Sequence, residues 1–152
     1  LTEDQFYPVQ ALQYLKQNPS QLNLFNPYQW GGYLIYELPE RRVFIDGRML
    51  SWRRQQAPST ESAYAYKEYL DFISGKTDTN EFTDKYQIDQ IIWFSPLENN
   101  QTAFFGINPT NKNRFNDQLI ASGWKIVYQD RLAAVYEKPA SAFIGKANPS
   151  QF

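Results

Sequence analysis

Asp46 and Arg48 stand on either side of a glycine, directly after a short apolar run, and are well suited to chemistry. A carboxylate at a strand end can bind hydroxyl groups or a metal ion, and a guanidinium can bind phosphate or carboxylate through paired hydrogen bonds. The same residues also suit a structural role, because Asp before Gly often forms a turn to which a nearby Arg pairs. The sequence leaves both interpretations open.

A second notable segment is 26–38, NPYQWGGYLIYEL, which places Gly31 and Gly32 side by side in the second turn of a predicted helix. Two interior glycines destabilise a helix by roughly 1 kcal/mol each relative to alanine. One explanation is that a ligand, such as an anion at the helix N-terminus, needs bare backbone there. The other is tight packing of the helix on the sheet, in which case a leucine at position 32 would overpack the core. The residues alone favour packing.

The composition limits the class of protein. A chain of 152 residues with 42% apolar and 20% charged residues suits one globular domain. The net charge of −1 provides no basic stripe, so we predict no nucleic-acid partner. The absence of cysteine and histidine removes Cys nucleophiles, Ser-His triads and the usual zinc sites. We predict no cofactor, no metal and no catalytic residue.

Helical and strand patterns alternate along the chain. We predict helices at residues 7–18, 28–37, 61–74, 80–86 and 111–122, and strands at 22–25, 42–45, 89–94, 124–128 and 133–137, with a short strand or extended loop at 104–107. This order predicts an α/β fold: a three-layer sandwich with a mostly parallel sheet, helices on both faces and a C-terminal antiparallel hairpin. Residues 1–138 form a single domain in this prediction, and residues 139–152 form a flexible tail.

Three predicted strands end in polar or turn residues, at Asn26, Asp46 and Ser95, and Asn26 is also the predicted N-cap of the next helix. Ligands of open α/β sheets bind beyond the carboxyl ends of the strands. The predicted substrate-binding residues at this edge are Asn26, Trp30, Gly31, Gly32, Asp46 and Arg48.

The aromatic share of 17% suits either a core filled with large rings or a surface beside a membrane or sugars. No apolar run approaches the ~20 residues that cross a bilayer, so we predict no membrane span within this chain. The chain begins at Leu1, without a methionine, which suggests a fragment excised from a longer protein.

Several motifs together resemble a known family. They are NPYQWGGYL at 26–34, VFIDGR at 43–48, IDQII at 88–92, WKIVYQD at 124–130 and AVY at 134–136. Over about residues 8 to 138 the chain resembles the C-terminal soluble domain of bacterial polytopic membrane proteins that are similar to C-type, lipid-sugar-dependent glycosyltransferases. WGGYL followed by FIDGR is the most specific part. The layout is more remotely similar to the soluble domain of the oligosaccharyltransferase catalytic subunit, although Gln29 stands where that subunit's Trp-rich motif has an acidic residue.

The resemblance implies an accessory domain on the extracytoplasmic face of a bacterial membrane, assisting recognition of an acceptor or a lipid-linked sugar. Its partner would be the transmembrane region of its own parent chain. The catalytic carboxylates of such enzymes lie in membrane-side loops that this chain lacks, so the fragment is expected to be inactive alone. Two alternatives remain: a free-standing α/β enzyme that uses Asp46 with a bound metal or phosphate, and a protein-interaction module.

Overall fold

The computed structural model describes residues 3–46, 65–97 and 109–139. Its helices are α1 (Val9–Gln17), α2 (Gly31–Glu37), α3 (Ala65–Ile73), α4 (Thr79–Lys85) and α5 (Pro109–Ala121), with 3-10 helices at Glu3–Gln5 and Tyr28–Trp30. Its strands are β1 (Asn23–Phe25), β2 (Ile88–Phe94), β3 (Lys125–Gln129) and β4 (Ala133–Glu137). No helix within these ranges is long and apolar enough to cross a membrane.

The helices form where local signals favour them. α1 buries Ala11, Leu12 and Leu15, which the helical repeat places on one face. α4 begins after Asp78, whose carboxylate accepts a hydrogen bond of 2.9 Å from the backbone N–H of Glu81. These capping and periodicity signals explain why most predicted helices agree with the structure to within two residues at the described ends.

The four strands form one mixed sheet in the order β1-β2-β4-β3. β1 is parallel to β2, whereas β4 is antiparallel to both β2 and β3. The predicted hairpin is confirmed, and β2 lies inside the sheet as expected. The prediction of a mostly parallel sheet is wrong, because the hairpin folds back so that the last strand, β4, inserts beside β2.

Both faces of the two central strands are covered. Every residue of β2 but one is buried, and so are the first four residues of β4. Such near-continuous burial explains the apolar run in β2. The arrangement of the elements in three layers stays a prediction.

The strand predicted at residues 42–45 is reduced to a single parallel bridge between Leu24 and Val43. β1 ends one residue after Leu24, whose carbonyl oxygen accepts from the backbone N–H of Phe44 over 3.0 Å. The Asn26 side chain takes over at this point, because its oxygen accepts from the same N–H over 2.9 Å and its nitrogen donates to the carbonyl oxygen of Ile45 over 2.8 Å. A side chain satisfies only the nearest backbone groups, so the ladder stops there.

Aromatic rings fill the core, and Phe25 of β1 lies at its centre, fully buried. Its ring centroid lies 5.0 Å from that of Phe72 in α3, 5.8 Å from that of Phe82 in α4 and 5.9 Å from that of Phe115 in α5. Pairs at this separation attract one another beyond the effect of burial alone. One residue of a three-residue strand therefore joins three helices to the sheet.

Some predicted features lie outside the described residues. They are the first part of the helix predicted at 61–74, the segment 104–107 and residues 140–152 of the predicted tail. The single domain at 1–138 and the flexible tail stay predictions.

Candidate functional site

Asn26 follows β1 and is completely buried. Its amide nitrogen donates to the carbonyl oxygens of Ile45, over 2.8 Å, and Pro27, over 3.0 Å, while its oxygen accepts from the backbone N–H of Phe44. The predicted N-cap role is wrong, because the next helical turn has Pro27 at its N-cap and no side-chain cap bond. Asn26 instead fastens residues 44–45 to the end of β1, using both the donor and the acceptor of its amide.

Gly31 lies against the chain segment that Asn26 holds. A Cβ atom on Gly31 would lie 2.1 Å from the carbonyl oxygen of Ile45 and 2.5 Å from the Cα atom of Asp46. A Cβ atom on Gly32 would meet nothing within 4 Å. Only the first glycine of the pair needs bare backbone, and the group that approaches it is the protein's own chain. The expectation that a leucine at position 32 would overpack the core is therefore wrong.

Trp30 is also fully buried. Its indole N–H donates to the carbonyl oxygen of Phe6 over 3.1 Å, and its ring centroid lies 4.4 Å from that of Phe94, the last residue of β2. The side chain therefore packs against the carboxyl end of the central strand.

The structure thus brings four of the six predicted site residues to one end of the sheet, namely Asn26, Trp30, Gly31 and Asp46. Asp46 is 3% exposed and lies beside Gly31, whereas Gly32 is exposed and Arg48 lies outside the described residues. Within the described ranges, no three acidic side chains come close enough together to hold a metal ion. A substrate-binding role for these six residues stays a prediction.

A second polar group of residues lies at the other, amino-terminal end of the parallel strands, centred on Gln90 of β2. The Gln90 side-chain oxygen accepts from Arg41 Nη1 over 2.7 Å, and its nitrogen donates to the backbone oxygen of Asn18 and to Glu137 Oε1, each over 3.1 Å. Gln90 is 3% exposed, so these bonds satisfy a buried amide. We call Ser20, Arg41, Asp89, Gln90 and Glu137 the amino-edge cluster.

Two oppositely charged residues of this cluster, Arg41 and Asp89, are incompletely hydrogen-bonded. Asp89 Oδ2 accepts from the Ser20 hydroxyl, but Oδ1 is buried without a partner, as are Nε and Nη2 of Arg41. Burial raises the pKa of Asp89 and lowers the pKa of Arg41, and in each case the opposite charge of the other residue counteracts the effect of burial. Burying a charged group whose polar atoms lack partners is unfavourable in free energy, and such groups occur often at functional sites.

The cluster borders a cavity of about 330 Å³. The cavity is lined by Asn18, Pro19, Ser20, Asp89, Gln90, Glu137 and Lys138. The Lys138 ammonium is engaged by Asp84, at 2.5 Å. The walls of the cavity are therefore mostly polar and carry both positive and negative charge.

Sequence reasoning missed this cluster. One signal was present, because Asp89 and Gln90 interrupt the otherwise apolar strand IDQIIWF, and a buried polar side chain must find partners. Those partners had no signal of their own, since Arg41 and Glu137 lie 49 and 47 residues from Gln90 in the chain.

Comparisons with known proteins show similarity of fold. No family model matches the chain, and no curated protein matches it. Among solved structures, the C-terminal globular domain of oligosaccharyltransferase from Archaeoglobus fulgidus is similar, with a TM-score of 0.54 and 11% sequence identity. The alignment covers 91% of this chain and 99% of that one. At this identity the similarity shows a shared fold, and it agrees with the remote likeness of layout inferred from the sequence.

Proposed function

We propose that this chain is an accessory domain of a glycosyltransferase-like membrane protein and is inactive by itself. In this proposal it lies on the extracytoplasmic face of a bacterial membrane, next to the transmembrane region of its own parent chain. It assists recognition of an acceptor or a lipid-linked sugar there. The supporting observation is the fold similarity, which takes in 99% of a C-terminal globular domain of an oligosaccharyltransferase.

We further propose that the substrate meets the carboxyl edge of the sheet, where Asn26, Trp30, Gly31, Gly32, Asp46 and Arg48 form the binding set. The buried members of this set position the backbone: Asn26 holds Ile45, and Gly31 lets the chain pass closely at Asp46. Arg48 then contacts the substrate, because a guanidinium binds phosphate or carboxylate in a paired geometry.

The coding sequence upstream of Leu1 tests the membrane partner. The proposal expects a continuous reading frame with about eight or more apolar spans of ~20 residues. A start codon near Leu1 would instead favour a free-standing protein.

Transfer of sugar from a lipid-linked donor, measured in membranes that contain the full-length protein, tests the binding edge. We expect Arg48→Ala to lower the rate about tenfold or more, since a charge-assisted hydrogen bond contributes about 1.5–3 kcal/mol. The matched control is Arg42→Ala, because Arg42 is exposed on the same segment. Equal rates for the two variants would contradict the binding role of Arg48, and transfer by the isolated chain would show a complete enzyme.

A further inference from the structure

The outward side of α2 carries a glycine that the fold does not require. Gly32 is exposed, and a Cβ atom on it would meet nothing within 4 Å. A glycine inside a helix is less favourable than alanine, and no neighbouring part of the described chain accounts for one here. A partner that approaches the helix backbone from outside would account for it, because a residue without a Cβ atom allows the closest approach.

Tyr36 lies one turn further along the same side of α2, since residues four positions apart are neighbours on a helix surface. Its side chain is 81% exposed, and it makes no hydrogen bond or ring contact with the part of the chain that the structure describes. Burying such a ring against a partner is favourable, and tyrosine is enriched at protein interfaces. The ring of Tyr36 is therefore available for binding.

Tyr33 connects this side of α2 to the segment that precedes α1. Its ring stacks on that of Tyr7, with the ring centroids 4.5 Å apart and the ring planes 18° from parallel. Burial raises the pKa of Tyr33 to about 12, and the carboxylates of Glu3 and Glu37 add to the rise, Glu3 also by accepting a hydrogen bond from the Tyr33 hydroxyl. Aromatic rings and carboxylates therefore lie side by side. We call Glu3, Tyr7, Gly32, Tyr33 and Tyr36 the α2 outer face.

The charge around this face is negative. Glu37 pairs with Lys16 at 3.5 Å, but Glu3 and the adjacent Asp4 are exposed and have no ion-pair partner within the described residues. Such a surface attracts cations and repels the anionic head groups of a membrane. An arginine side chain suits it best, because a planar guanidinium both stacks on an aromatic ring and pairs with a carboxylate.

We propose that the α2 outer face docks an arginine-bearing peptide segment of a partner protein. An arginine side chain stacks on the ring of Tyr36, Glu3 attracts its charge, and the backbone of the peptide passes over Gly32. This inference goes beyond the proposed function, because it requires neither a lipid-linked sugar nor a membrane span. The transfer experiment depends on Arg48, which is not part of this face, so either idea can fail while the other holds.

Nuclear magnetic resonance of the isotope-labelled chain tests the proposal. The probes are a blocked peptide of alternating arginine and glycine, its counterpart with glutamate in place of arginine, and vesicles of phosphatidylglycerol. We expect the arginine peptide to shift the backbone amide signals of Gly32, Tyr33 and Tyr36 until saturation. The glutamate peptide and the vesicles should leave these signals unchanged.

Substitutions on the surface separate the contributions of ring, charge and bare backbone. Tyr36→Ser and Glu3→Gln should each weaken binding of the arginine peptide about two- to fivefold, which is the effect of one exposed cation–π contact or ion pair. Gly32→Leu should weaken it about tenfold, because the new side chain occupies the space over the helix backbone. The matched control is Glu81→Gln, which removes the same charge from the exposed surface of α4 and should leave binding unchanged.

Three results would overturn the proposal. The first is that the arginine peptide does not saturate the α2 signals. The second is binding that is unchanged in Tyr36→Ser, Glu3→Gln and Gly32→Leu while their spectra show a folded chain. The third is an equal response to the glutamate peptide, to the vesicles or to Glu81→Gln, which would mean unspecific or membrane binding.

Discussion

Gly31 and Ile45 approach each other so closely that no methyl group fits between them, since a Cβ atom on Gly31 would lie 2.1 Å from the Ile45 carbonyl oxygen. The same carbonyl accepts a hydrogen bond from Asn26. The start of α2 and the end of β1 therefore fix one short chain segment together, and that segment leads directly to Asp46.

Gly31→Ala should destabilise the fold through this contact. The new methyl group meets backbone, which cannot turn aside as a flexible side chain would, so we expect a loss of about 1–3 kcal/mol or more in the free energy of unfolding. Gly32→Ala is the matched control and should stabilise by about 0.5–1 kcal/mol, because it improves a helix without a clash. Urea unfolding of both variants measures the difference, and similar values for the two would contradict the close approach.

Asn26→Ala should be more harmful than the loss of a helix cap, which typically costs about 1 kcal/mol. The substitution takes the Asn26 donor away from the buried carbonyl of Ile45, and an unpaired buried group costs about 1–3 kcal/mol. It also leaves the N–H of Phe44 with the Leu24 carbonyl as its acceptor in place of two acceptors. Asn80→Ala on the exposed surface of α4 is the control and should change little. A loss of only about 1 kcal/mol at Asn26 in chemical denaturation would restore the capping interpretation.

Asp89→Asn should stabilise the protein more at neutral pH than in acid. Burial raises the pKa of Asp89 above its ordinary 3.8, Glu137 adds to that rise, and Ser20 and Arg41 oppose it. The folded state then binds the proton more tightly than the unfolded chain, so stability falls as the pH rises from 3.8 through the raised pKa. Asparagine does not ionise, so the Asp89→Asn variant avoids this loss of stability with rising pH.

Unfolding free energies of Asp89→Asn and the unmodified chain at about pH 4 and about pH 7 measure the effect. A difference that does not change with pH, or that is larger in acid, would contradict it.

Phe25→Ala should remove the ring that joins α3, α4 and α5 to the sheet. For a fully buried phenylalanine we expect a loss of about 3–5 kcal/mol. Tyr36→Ala is the control, because that ring is 81% exposed and its loss should change stability by about 0.5 kcal/mol or less. Thermal and urea unfolding of the pair decide the matter, and a small effect at Phe25 would mean that the core repacks.

Local signals predicted the individual elements well. The apolar run at β2 and the two short strands around a polar turn identify β2, β3 and β4, because strands and hairpins are recognised from the types and spacing of neighbouring residues. The order of the strands is a tertiary property. Nothing near β4 in the sequence shows that it lies beside β2, so the mixed sheet could not be derived from the pattern of alternation.

The two groups of polar residues at the ends of the sheet show the same difference between what local sequence signals predict and what only the tertiary structure shows. Asn26 before a proline has the features of an N-cap, yet its amide is used by residues 44–45, which lie almost twenty positions further along the chain. The glycine pair predicted a close approach of another part of the chain. The sequence did not show that Gly31, and not Gly32, is the glycine in contact. The amino-edge cluster depends on pairings between residues far apart in sequence, of which only the polar interruption of β2 was visible.

The position of β4 has a consequence for synthesis of the chain. β2 pairs with β1 on one side, but its other side pairs with β4, Ala133–Glu137, which comes last in the chain among the four strands. While the chain emerges from the ribosome, one edge of β2 therefore keeps its backbone N–H and C=O groups unpaired until β3 and β4 have been synthesised. The side chains of this strand are largely apolar. An unpaired edge of this kind is a template for association with other chains. A ribosome that stalls before Ala133 would release a product prone to aggregate, however well its helices had formed.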